Sequence, residues 1–207
     1  MKVLLFNGSP RERGCTYTAL AEVANVLKSQ GIKAEILQSG NKPVQDCIAC
    51  GGCAGKGKCV FEGDCVNDWI EQAKAADGFV FGTPVYYAHP SGRILSLMDR
   101  LFYAGGYAFE HKPAAVVASG RRAGTTATLD TIVKHLGISQ MPVISSSYWN
   151  MVHGNTPAEV TQDLEGMQTM KNLGLNMAWI LKCIEAGKNA GVSVPPTKKA
   201  VWTNFIR

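Results

Sequence analysis

No part of this 207-residue sequence runs for the roughly eighteen uninterrupted apolar residues that a membrane-spanning helix needs. The start, MKVLLFNGSPRERG, has one lysine and a short apolar run but no small-residue cleavage site, so export is not expected. Charge is sparse, with 18% Asp, Glu, Lys and Arg and a net charge of +5. That balance is compatible with an anionic ligand and too small to imply nucleic-acid binding. The sequence also lacks Gly-x-x-x-x-Gly-Lys-[Ser/Thr] and Gly-x-Gly-x-x-Gly, the usual loops for nucleoside triphosphates and dinucleotides. What it has is 46% apolar residues, enough for a sizeable core and against disorder. It also has seven cysteines, five of them between positions 47 and 65. In a chain expected in the reducing cytoplasm, such a cluster reads as metal-binding or redox-active before it reads as disulfides.

Short apolar runs alternate with helical patterns. Lys2–Phe6, Lys33–Leu37, Gly78–Gly82, Pro113–Ala118 and Met141–Ser145 read as strands. Helical spacing covers Thr16–Gln30, Asn67–Ala76, Ser91–Tyr103, Thr125–Leu136 and a long stretch over 157–189. The strand runs are continuously apolar, as in a parallel sheet covered on both faces. The expected fold is α/β, a doubly wound five-stranded parallel sheet with helices on both faces. One domain over 1–190 would carry a Cys-rich loop at 46–65, and 191–207 would form an arm or tail. Such sheets bind ligands at the C-terminal ends of their strands.

Three strand-to-helix loops meet that expectation. Gly8-Ser9-Pro10-Arg11-Glu12-Arg13-Gly14-Cys15-Thr16 supplies hydroxyls, arginines and a helix N-terminus, which together suit a phosphate. The plain alternative is a polar turn with an N-cap. Gly82-Thr83-Pro84-Val85-Tyr86-Tyr87 offers rigid aromatic surface for a flat heterocycle, or a tyrosine pair that closes the core. Ser119-Gly120-Arg121-Arg122 brings positive charge after the fourth strand, or is a solvated turn. Taken together, the three converge on one crevice.

These blocks, with Ser91-Gly92 and Met98-Asp99-Arg100, resemble the NADPH-dependent FMN reductase family, which has a flavodoxin-like fold. The resemblance covers roughly residues 1–150. It implies non-covalently bound FMN, with Ser9, Arg11 and Thr16 on the 5′-phosphate. Pro84, Val85, Tyr86 and Tyr87 would line the isoalloxazine, and Ser119, Gly120 and Arg121 would face its pyrimidine edge. Hydride enters and leaves at the flavin N5, so no catalytic side chain is named. NADH or NADPH is the expected donor. A quinone, a flavin, another small molecule or a redox protein is the expected acceptor. Relatives form dimers or tetramers, so a homo-oligomer is expected, with no membrane or nucleic-acid partner.

Cys47-x₂-Cys50-x₂-Cys53-x₅-Cys59 is the sharpest local pattern. Four closely spaced thiolates match the ligand count of a [4Fe–4S] cluster. The motif resembles that of the iron-sulfur flavoproteins, in which single electrons pass between cluster and FMN. Zinc on four cysteines and a metal-free thiol loop are the alternatives. A non-redox phosphate- or nucleotide-binding protein would leave both the cysteines and the tyrosines unexplained. Cys65 reads as a spare or small apolar residue, and Cys183 as core. Cys15 is not expected to touch phosphate. His153 reads first as structural, with an approach to the flavin or nicotinamide as the alternative, and Trp149 as packing or a ring stack. Leu173, Met177, Ile180, Leu181 and Ile184 form a core or oligomer stripe, and Lys198 and Lys199 a solvated basic pair.

Overall fold

The computed structural model describes residues 1–197, 201 and 203. Strands β1 (Lys2–Asn7), β2 (Lys33–Gln38), β3 (Gly78–Tyr86), β5 (Ala114–Gly120) and β6 (Met151–His153) run parallel in the order β2-β1-β3-β5-β6. The two-residue β4 (His89–Pro90) folds back antiparallel on the end of β3. The order reverses between β1 and β3, where a doubly wound sheet opens its ligand crevice.

Alternate residues of each strand feed different layers, which is why the apolar runs are unbroken. Leu4, Phe6, Phe79, Phe81, Val116 and Ala118 face one side, under helices α2 (Val66–Lys74), α3 (Gly92–Gly105) and α4 (Thr125–Ile138). Val3, Leu5, Val80, Ala115 and Val117 face the other, under α1 (Cys15–Ser29) and α6 (Leu164–Asn189). The first layer is aromatic. Phe6 and Phe81 stack with centroids 4.9 Å apart, and Phe79, Phe102 and Phe109 extend the group. Between Gln38 and Val66 there is neither helix nor strand, as the absence of periodicity implied.

Two elements differ from expectation. Met141–Ser145 is not the fifth strand. It makes one bridge, between Val143 and Ala114, in which Ile144 N donates to Ala114 O. Pro142 has no N–H to extend that ladder. The serines that follow form a loop closed by the Ser146 hydroxyl on Tyr148 O and Asn150 Oδ1. Pairing with β5 resumes only at β6. The stretch 157–189 is likewise two helices, α5 (Pro157–Gln162) and α6, divided at Asp163. Asp163 Oδ1 caps α6 by accepting from Gly166 N at 2.9 Å, while Oδ2 accepts from His153 N at 2.7 Å. A capping side chain competes with helix continuation, so the break falls there. Asp163→Ala removes the cap and orphans a strand N–H. A loss of about 2 kcal/mol is expected in denaturant unfolding, with Asp163→Asn losing less.

The tail is extended and exposed from Val192 to Thr197, whose hydroxyl meets His111 Nε2 at 3.2 Å. Lys198 and Lys199 lie outside the described residues.

Candidate functional site: the strand-end crevice and the cysteine loop

The loop after β1 is fixed from within. Asn7 Oδ1 accepts from Ser9 N (3.1 Å), Asn7 Nδ2 donates to Gln38 Oε1 (2.5 Å), and Gln38 Nε2 donates to Ser9 O (2.8 Å). Ser9 Oγ accepts from Arg11 N at 3.2 Å. The same loop is tied to its neighbours: Gly8 N donates to Gly82 O, and Ser91 Oγ donates to Gly8 O. A Cβ at Gly8 would stand 2.6 Å from Ile94 Cβ, so only glycine lets this turn lie against the first turn of α3. No side chain caps α1; its N-cap is Gly14. The N–H groups of its first turn thus stay open to an anion.

Thr16 Oγ1 and Ser119 Oγ lie 2.7 Å apart and both residues are buried. That contact joins the first turn of α1 to the end of β5. Pro84 pairs in register with Ser119, and Val85 packs beside Gly120. The structure therefore brings Ser9, Thr16, Pro84, Val85, Ser119 and Gly120 to one sheet end. Arg11 and Arg121 stand exposed on the flanking loops. Tyr86 is half-exposed and Tyr87 fully exposed, so the pair does not close the core. Tyr87 and Ala88 both have positive φ (50° and 58°), costly for residues with a Cβ. Beneath them Gly124 has φ +94°, and a Cβ there would lie 2.8 Å from Ala88 Cβ and 3.0 Å from Val85 Cγ1. The second and third loops thus interlock through a position without a side chain.

The cysteines form a separate place. Cys47, Cys50, Cys53 and Cys59 line one apolar cavity of about 140 Å3, with Ile48, Val60, Phe61 and Tyr103 in its wall. None of the strand-end loop residues lines it. Arg100 of α3 reaches it from beneath, 1% exposed, and donates from Nε to Cys59 Sγ at 3.2 Å. Burial works against the guanidinium's charge. Hydrogen bonds to Asp64 and Cys59 outweigh that and hold its pKa above the ordinary value. Among the described residues no group of three or more His, Cys, Asp or Glu side chains is already arranged around a metal position. The donor set still fits a thiolate-bound group: four sulfurs on one apolar-walled cavity, with a buried cation beside them.

Cys65 stands outside the cavity at the start of α2. Burial, then the charge of Asp64, push its thiol up to about 11, so it stays protonated and unreactive at neutral pH. Cys15 bonds Gly154 O at 3.7 Å, and burial raises its pKa as well. Cys183 is exposed, not core, because it faces away from the buried side of α6 marked by Leu173, Met177 and Leu181. Trp149 is exposed and meets Tyr148 edge-on, so it is no core residue. His153 lies within β6, where its Nε2 donates to Arg122 O at 3.1 Å.

Sequence reading gave no site role to Asn7, Gln38 or Asp64, took Asn67 only as a helix start, and named Ser91 and Arg100 only within motifs. Asn7 was legible as part of a turn signal. A cation between Met98 and Leu101 of an apolar helix stripe was the one signal for Arg100.

Residues 1–156 match the NADPH-dependent FMN reductase family, and the chain belongs to it. Within that family it is similar to an iron-sulfur flavoprotein of Methanocaldococcus jannaschii, 32% identical over 193 residues, covering 89% of this chain and 100% of that protein. An iron-sulfur flavoprotein of Archaeoglobus fulgidus is 33% identical over 201 residues, covering 91% of this chain and 98% of that one. Among solved structures, a flavodoxin from the domain Archaea aligns over 88% of this chain and 99% of its own with a TM-score of 0.60. At 14% identity that likeness shows the fold, which is flavodoxin-like. Among the described residues no helix is long and apolar enough to cross a membrane.

Proposed function

We propose that the protein is a cytoplasmic FMN-dependent oxidoreductase in which a [4Fe–4S] cluster on Cys47, Cys50, Cys53 and Cys59 exchanges single electrons with the flavin. The observation that carries this reading is that all four motif cysteines line one cavity, in a chain whose strand-end loops bring Ser9, Thr16 and Ser119 together elsewhere on the sheet. The likeness to proteins named iron-sulfur flavoproteins supports it.

Bound FMN would supply a centre that takes electrons singly or as a hydride. The chain's own residues bind and orient it. Ser9, Thr16, Arg11 and the open N–H groups of α1 hold the phosphate. Pro84, Val85, Tyr86 and Tyr87 cover the ring and limit water. Ser119, Gly120 and Arg121 meet the pyrimidine edge, where the arginine charge favours added electron density. Cys47, Cys50, Cys53 and Cys59, kept reduced in the cytoplasm, would hold the cluster. Electrons would come from NAD(P)H or a redox protein and leave to a quinone, a flavin, another small acceptor or a redox partner. The exposed aromatics Tyr148, Trp149 and Trp179 suit a homodimer or homotetramer.

A second reading is a hydride-transferring NAD(P)H:acceptor reductase without a cluster, which the match to the NADPH-dependent FMN reductase family supports. The visible spectrum of protein purified without oxygen separates the two. Flavin bands over a broad shoulder that fades in air are expected. Flavin bands alone, bleached at once by NAD(P)H, would establish the second reading. A colourless protein unchanged by added FMN would overturn both.

A further inference from the structure

Arg100 uses every N–H it has. Nε donates to Cys59 Sγ (3.2 Å). Nη1 donates to Gln45 O (3.1 Å) and to Asp64 Oδ2. Nη2 donates to Phe61 O (3.2 Å) and to Asp64 Oδ1 (3.3 Å). A guanidinium has five N–H bonds in a rigid fork, so none is left over. The partners bracket the cysteine motif: Gln45 lies just before Cys47, and Phe61 and Asp64 lie just after Cys59. Asn67 grips the same end, accepting from Cys59 N at 2.8 Å and donating to Cys59 O at 3.0 Å. A loop with no secondary structure of its own is thereby pinned at both ends to α2 and α3. The pinning agent is also the buried cation nearest the sulfurs.

We propose that Arg100 is a positioning residue for the cysteine motif: its fork presets the loop before any metal arrives and keeps one N–H on Cys59 Sγ, which sets how readily the bound cluster is reduced. The proposal rests on the cluster reading for its redox half only. A positive charge and an N–H···S contact both favour the more negative, reduced form of an iron–sulfur centre. Asp64 opposes that charge. The pair therefore predicts shifts of opposite sign. Removing the cation makes reduction harder, and neutralising its carboxylate makes reduction easier. A merely structural contact would not reverse sign between its two partners. Lysine retains the charge but has three donors and no fork, so it restores the redox effect better than the loop geometry.

The test uses the full chain as wild type, Arg100→Gln, Arg100→Lys and Asp64→Asn. In the metal-free proteins, trypsin cleavage after the exposed Lys56 and Lys58 is timed against cleavage elsewhere. Both Arg100 variants should be cut about tenfold faster at these two sites alone, since local opening sets the rate. Equal rates would overturn the clamp. Each protein is then rebuilt without oxygen with ferrous iron and sulfide. The reduced fraction is read by electron paramagnetic resonance at the ambient potential that half-reduces the wild type. Arg100→Gln should fall to about a tenth reduced, Asp64→Asn should rise well above half, and Arg100→Lys should lie closest to wild type. Shifts of the same sign in Arg100→Gln and Asp64→Asn would overturn the tuning role. If Arg100→Gln fails to fold, Arg100→Lys still decides the clamp, and an Asp64→Asn protein no more reduced than wild type would overturn the tuning role. A wild type that takes up no iron and sulfide would overturn the cluster reading and the redox half with it, while the cleavage rates still decide the clamp.

Discussion

Gly124→Val is expected to lower FMN affinity by about a hundredfold while leaving the fold intact. Two costs act at one atom. Valine at φ +94° is β-branched in a region that favours glycine, a strain of about 1–3 kcal/mol. Its Cβ would also run into Ala88 and Val85, which belong to the turn that carries Tyr86 and Tyr87. Ala88 is itself held at positive φ, so the turn has little freedom to give way within its present shape. The loops after β3 and β5 must separate, opening the place between them where the flavin ring is proposed to sit. A hundredfold loss corresponds to about 2.7 kcal/mol, within reach of strain and clash together. The Ser9 loop and the first turn of α1, proposed to hold the phosphate, lie on other elements and should keep their shape. Titration of apoprotein by quenching of FMN fluorescence reads the change directly. An unaltered dissociation constant, with an unaltered melting temperature, would show that the interlock plays no part in binding.

Arg100→Met should be the most destabilising single change around the cysteine loop. It leaves the Asp64 carboxylate, 13% exposed, without its counter-charge, and strips partners from Gln45 O and Phe61 O. Breaking a buried ion pair on one side costs about 3–5 kcal/mol, whereas replacing both partners is far milder. In a chain of this size that corresponds to a drop in melting temperature of roughly 6–20 °C. The double variant Arg100→Met/Asp64→Leu should recover most of it. Calorimetry of the two variants beside wild type makes the comparison. A double variant as unstable as the single one would mean that the hydrogen bonds to Gln45 O, Phe61 O and Cys59 Sγ, not the ion pair with Asp64, hold the loop.

The central strands were readable because they are buried on both faces, and the apolar runs KVLLF and PAAVVA each map onto one of them. The edge was not. β6 is three residues long, and its place in the sequence was taken by an apolar run that Pro142 and the serines prevent from pairing fully. That three strand-to-helix loops meet at one sheet end was legible from the glycines, hydroxyls and arginines that follow the strands. The contacts that lock them were not. Asn7 to Gln38, Thr16 to Ser119 and Arg100 to five acceptors span 31 to 103 residues or depend on which way a helix turns. The cysteine spacing pointed to one shared place for Cys47, Cys50, Cys53 and Cys59, and the four do line one cavity. Only folding shows the set resting on an arginine that belongs to a different element.

The cysteine loop leaves the sheet after β2 and returns at α2, so it occupies a crossover that any sheet of this order must make in some form. Its anchors, Arg100 and Asn67, sit on helices that already cover the aromatic layer. Strand order and crevice make no use of the excursion. The proposed metal-binding segment is therefore one connector of the sheet, and changing that connector alone would leave the order of the strands as it is.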